Sequence, residues 1–211
     1  MKINKGTLLS LKDSNKPIDD LTISLDLKTN DESFIFSLGK NTSISSESYD
    51  HPTFVYVLTG EGLFNGNIVR ENDIIFYDEN TYVSKETKNG IIYIEFHVNK
   101  EKLVMNEKIK SGEIFALKDL LPYQDDKVIN IDVFKSDKSA LSVISMAKGT
   151  SLKPHKAPGE ALLFILDGEA KLTYEGIEHI LHAGDNFAFA KDGLHAIEAL
   201  SNFKFALFLE F

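Results

Sequence analysis

The chain has 211 residues, 43% hydrophobic and 26% charged, with no cysteine and a net charge of −9. This is ordinary globular composition with room for a sizeable core; the missing cysteines exclude disulfides and thiolate metal sites, which fits a reducing compartment and leaves nitrogen and oxygen as metal donors. The acidic balance and scattered lysines argue against nucleic acid, and the longest uncharged apolar run, "ALLFIL", is far short of the roughly 20 residues of a membrane span, so a cytoplasmic protein with no membrane partner is expected.

From the N-terminus, "KGTLLSLKD" (Lys5 to Asp13) leads into "SFIFSLGKNTSISSESYDHPTFVYVLTGEG" (Ser33 to Gly62), then "ENDIIFY" (Glu71 to Tyr77) and "IIYIEF" (Ile91 to Phe96). These are short β-branched and aromatic runs split by turn residues, the signature of antiparallel strands. "VNKEKLVMNEKIKSGE" (Val98 to Glu113) reads as a linker with one or two helical turns. "SGEIFALKD" (Ser111 to Asp119) follows, and the acidic stretch from Gln124 to Asp126 reads as a solvated loop. "LSVISMAKGTSLKPHKAPGEALLFILDGEA" (Leu141 to Ala170), "KLTY", "HAGDNFAFAKDGLH" (His182 to His195) and "FALFLEF" then complete the chain.

The second set repeats the first. Ser33 to Gly62 lies over Leu141 to Ala170 without a gap, matching Ser37 to Ser145, Lys40 to Lys148, Gly60 to Gly168 and Glu61 to Glu169. "KGTLLSLKD" echoes "SGEIFALKD", "ENDIIFY" echoes "AGDNFAF", and "YIEF" echoes "FLEF". Two tandem copies of an all-β unit, each a sandwich or barrel, account for the whole length.

In the second copy, the order of histidine, turn, apolar strand, "LDGEA", strand and "HAGDNFAFAKDGLH" resembles the cupin family, a double-stranded β-helix, or jelly-roll, barrel with a cavity in its mouth. The resemblance covers both copies. It implies a bicupin: an N-terminal cupin-like barrel over residues 1–104 and a C-terminal one over 105–211. The two would form an intramolecular pseudo-dimer, with further homo-oligomerisation left open.

The family's ligands are three histidines and a carboxylate in two glycine-framed motifs. Gly149, His155 and Gly168 match the first motif, while Ala157 stands at its second histidine and Ala161 at its glutamate. Gly184 and His195 match the second motif; Ala190, Asp192 and Ala199 depart from it. The resemblance thus implies an inward pair, His155 and His195, for a divalent ion of zinc, iron, nickel or manganese type. Two imidazoles alone would hold such an ion weakly, because these metals usually take three or more protein ligands.

Glu160 is a candidate third ligand, but a one-residue shift along a strand normally sends a side chain to the opposite face; only a bulge at Pro158 and Gly159 would bring it back. The first copy has Glu47, Tyr49, Thr53 and Val83 at the ligand positions, and reads as a scaffold in which Tyr49 and Val83 partly fill the interior. His51, His97, His179 and His182 read as surface or turn residues, and Phe187 and Phe189 as core.

Two function classes follow. In one, a small molecule occupies the C-terminal barrel, held by His155 and His195 between Ala157, Ala161, Leu163, Ile165 and Phe189. In the other, a reduced metal site makes the chain a cupin enzyme of isomerase, decarboxylase or dioxygenase type. A metal-free site with His195 as acid or base and a merely structural histidine pair are the remaining readings. Fold alone does not choose among them; the two alanines favour small-molecule binding, with any metal ion optional.

Overall fold

The computed structural model describes residues 3–27 and 33–211. Strands dominate, and the only helical segments among these residues are the turns Leu11–Ser14 and Leu117–Asp119. The linker contains no helix. Its Val104–Met105 instead pairs antiparallel with Val128–Lys135, since a helix of one or two turns is marginal by itself whereas a ladder satisfies backbone groups at once. None of the described helices is long and apolar enough to cross a membrane.

The chain divides into two compact units. Among the described residues the first comprises Leu11–Leu103 and Glu107–Ala116; the second comprises Ile3–Ser10, Val104–Asn106 and Leu117–Phe211. A single cut after residue 104 does not separate them, because the two echoing segments have changed places. Leu8–Leu9 pairs with Asn186–Phe189 in the second unit, and Ile114–Ala116 pairs with Asp73–Tyr77 in the first.

Inside each unit the same ladder recurs. Thr53–Phe64 lies between Asp73–Tyr77 and Ile91–His97, as Glu160–Asp167 lies between Asn186–Phe189 and Phe203–Glu210. The run "ALLFIL" is buried at every position, as a continuous apolar strand covered on both faces must be. By contrast Tyr82–Thr87 and Leu194–Ala199 show an identical alternation of exposed and buried positions, the half-buried strand of period two.

The matched glycines have one physical cause. Gly60 and Gly168 both adopt positive φ, and a Cβ there would lie 2.4 Å from the Gly90 carbonyl oxygen or 1.9 Å from that of Asn202. Only glycine permits both the backbone conformation and the approach.

Candidate functional site in the second unit

The site begins with a bulge. Along Ser151–Lys156 the pairing with Leu194–Ala199 slips between Leu152, opposite Ile197, and His155, opposite His195. A bulge bends its strand and re-aims the following side chain. Here it sets the two imidazoles side by side, with ring centroids 4.1 Å apart.

Each ring is oriented by its own backbone. His155 Nδ1 lies 2.8 Å from the Lys153 carbonyl oxygen and His195 Nδ1 lies 3.0 Å from that of Gly193. A carbonyl can only accept, so Nδ1 carries the proton in both rings and each Nε2 presents a lone pair when the imidazole is neutral. Phe189 stacks on His195 at 4.3 Å. His195 is buried while His155 is exposed. Burial is the main force holding the His195 pKa below the ordinary histidine value; the nearby His155 acts the same way, and the Gly193 hydrogen bond opposes both.

Both histidines line a cavity of about 210 Å³ together with Ala157, Ala161 and Phe189. Its remaining walls are apolar, including Ile197, Phe205, Leu207 and Leu209, four residues that motif matching did not single out. Leu163 and Ile165 are 0% and 2% exposed and belong to the surrounding core cluster, where their side chains pack the interior without lining the cavity.

Glu160 turns away. It is exposed and its carboxylate accepts a 2.6 Å hydrogen bond from Lys5, as alternation along the strand requires. No group of three or more histidine or acidic side chains suited to a metal exists among the described residues. With Ala157 and Ala161 offering no donor, the residues present do not fit a tightly held ion. His182 is exposed. His179 sits edge-on to Phe187 with its Nε2 buried and unpartnered, so it is part of the packing as well as the strand.

The first unit carries a cluster that the sequence did not disclose. Lys85 and Glu95, both about 95% buried, form an ion pair at 3.0 Å. Tyr49 donates to the same Glu95 oxygen at 2.6 Å, and His97 Nε2 lies 3.4 Å from the other. His97 is therefore half-buried and turned inward, while His51 is exposed and stacks on it. Burial pushes the Glu95 carboxyl up, but the hydrogen bond from His97, the Lys85 charge and the Tyr49 and Lys85 hydrogen bonds together bring it below the ordinary carboxylate value. Tyr49 is raised far above the ordinary phenol value, first by burial and then by Glu95, so it remains a donor. Tyr77 is pushed up to about 12, again mainly by burial. As expected, Tyr49 and Val83 occupy the interior.

Glu95 escaped notice because "YIEF" and "FLEF" suggest that it matches Glu210. The ladders say otherwise: Val55 pairs with Glu95 and Leu163 with Leu207. The matching strands are slipped by an odd number of residues relative to that echo, which exchanges the two faces. Glu95 thus corresponds to Leu207, a cavity wall.

Residues 142–209 match the family model described as a cupin domain. Among solved structures, the chain is similar to a cupin 2 conserved barrel domain protein from Leptotrichia buccalis, with 24% identity, a TM-score of 0.82 and coverage of 99% of this chain and 98% of that one. It is also similar to salicylate 1,2-dioxygenase from Pseudoaminobacter salicylatoxidans, solved with gentisate, at 12% identity and a TM-score of 0.61 over 90% of this chain and 73% of that one. At these identities the likeness is one of fold. No curated protein matches the sequence.

Proposed function

We propose that this chain, which matches a cupin domain over residues 142–209 and shares the fold of a cupin barrel protein along its length, binds a small molecule in the cavity of its second half. The observation carrying this reading is the cavity itself: about 210 Å³, walled by apolar side chains, with two adjacent imidazoles as its polar groups. Small-molecule sites combine a largely apolar concavity with a few convergent polar groups in this way. Neither Nε2 has a hydrogen-bond partner among the described residues, so both are available to a ligand.

A fragment screen by ligand-observed NMR tests the reading. Fragments that bind the native protein should lose binding in Ala161→Leu, whose larger side chain fills part of the cavity. If the bound fragments are indifferent to that change, the cavity is not the site.

One observation favours a second reading. The two Nδ1 atoms are fixed by carbonyls, the arrangement that orients metal-ligating histidines elsewhere. With only two donors, however, an ion would be held weakly and lost readily. Elemental analysis of protein purified without chelator should accordingly find well under one divalent ion per chain after dialysis. One tightly retained ion would instead favour a metal-dependent enzyme.

A further inference from the structure

The chain contains an internal standard for what its cavity accommodates, because Tyr49 in the first unit stands where Ala157 stands in the second. The backbone at the two positions is held alike. The Tyr49 amide donates to the Thr81 carbonyl at 3.2 Å and its carbonyl accepts from Asn80 at 2.7 Å. The Ala157 amide donates to Gly193 at 3.2 Å and its carbonyl accepts from Asp192 at 2.9 Å. Asn80 and Asp192 share φ values of 62° and 64°. The neighbours correspond as well: Thr53 pairs with Tyr77 as Ala161 pairs with Phe189, and the bulge between Ile44 and Glu47 repeats that between Leu152 and His155.

In the first unit the Tyr49 ring fills the space beside Tyr77, centroids 5.9 Å apart. In the second the corresponding side chain is a methyl group, and the space beside Phe189 is a cavity. At this position the two side chains differ by one phenol ring. An apolar cavity of about 150 Å³ suffices for benzene, so about 210 Å³ takes a ring with a substituent.

The polarity is reversed end for end. Tyr49 directs its hydroxyl to Glu95, beneath Lys85; the corresponding walls of the cavity are Leu207 and Ile197. A hydroxyl at that inner end would be buried without a partner, at substantial cost. The polar groups of the second unit lie at the histidine end, where Nε2 accepts.

We infer that the ligand of the second cavity is a small monocyclic aromatic compound, its ring in the volume that Tyr49 fills in the first unit and its hydrogen-bonding substituent directed to His155 and His195. This rests on the reading that the cavity is the binding site and adds the ligand class and its orientation.

The probe is p-cresol, the tyrosine side chain as a free molecule, set against 4-methylcyclohexanol, which has the same substituents without the aromatic ring. Calorimetric titration of the full chain should give p-cresol a dissociation constant on the order of 0.1–1 mM, as suits so few atoms. The saturated analogue should bind about two- to tenfold more weakly, the margin that aromatic contacts with Phe189 and the imidazoles supply. Ala157→Phe, which installs the ring without the hydroxyl, should abolish p-cresol binding and leave the thermal midpoint unchanged or raised. If the saturated analogue binds as tightly and Ala157→Phe excludes both, the aromatic class is refuted while the cavity reading stands. If p-cresol fails to bind the native chain, or binds Ala157→Phe undiminished, the inference is overturned, and the fragment screen then judges the cavity reading by itself. Should Ala157→Phe not fold, Ala161→Leu provides the blocked cavity and the same outcomes apply.

Discussion

The two halves place chemically opposite residues at corresponding positions. Where the first has Tyr49, Lys85, Glu95 and His97, the second has Ala157, Ile197, Leu207 and Leu209; where the first has Glu47 and Val83, the second has His155 and His195. At these positions the first unit is polar and filled, whereas the second is apolar and encloses a cavity with two histidines on its wall. The ladders, bulges and turn glycines are nevertheless shared. The fold is specified by strand pattern and turn chemistry, while the interior end positions are free to carry an ion pair, a buried ring or a cavity.

The largest effect should come from transplanting one interior into the other. Lys85→Ile or Glu95→Leu, each taking the residue of the second half, leaves one buried charge unpaired and should cost about 3–5 kcal/mol. The triple variant Tyr49→Phe, Lys85→Ile, Glu95→Leu removes both charges and the phenol that would lose its acceptor, and should recover most of that loss, as apolar replacements of complete buried pairs do. Urea denaturation measures both. Single variants that cost under about 1 kcal/mol would mean that the pair is hydrated, and the contrast between the interiors would collapse.

A smaller effect separates the halves by pH. The Glu95 pKa is lowered in the folded protein, so the native state binds fewer protons there; its contribution is complete above the ordinary carboxylate value near pH 4.3 and fades as pH falls through the lowered native value. His195 is also lowered, which gives the same sign in a different window: stability declines once pH drops below about 6.5 towards the native value. In a pH series of thermal midpoints, Glu95→Gln should flatten the acid limb and His195→Val, which copies Val83, the limb nearer neutrality. Identical profiles for native and His195→Val proteins would show that this imidazole titrates as if solvated.

Much of this architecture was legible from residues alone. The gapless repeat, "TGEG" against "DGEA", and the two retained histidines disclosed tandem all-β units and brought His155, His195, Ala157, Ala161 and Phe189 to one cavity. The linker helix and the cut after residue 104 were not read correctly, because a two-residue strand such as Val104–Met105 or Leu8–Leu9 leaves almost no periodicity to detect.

What the sequence determined by itself was therefore whatever is written in spacing: period-two strands, glycines where backbone crosses backbone, and histidines at fixed distance from them. What the tertiary structure decided was direction. Glu160 and Glu95 are both carboxylates on strands flanked by apolar residues, yet one reaches out to Lys5 and the other is sealed in with Lys85 and Tyr49. A strand has only two faces, and a bulge or an odd slip in register exchanges them without altering composition. Only the ladder of partners fixes which face is inside.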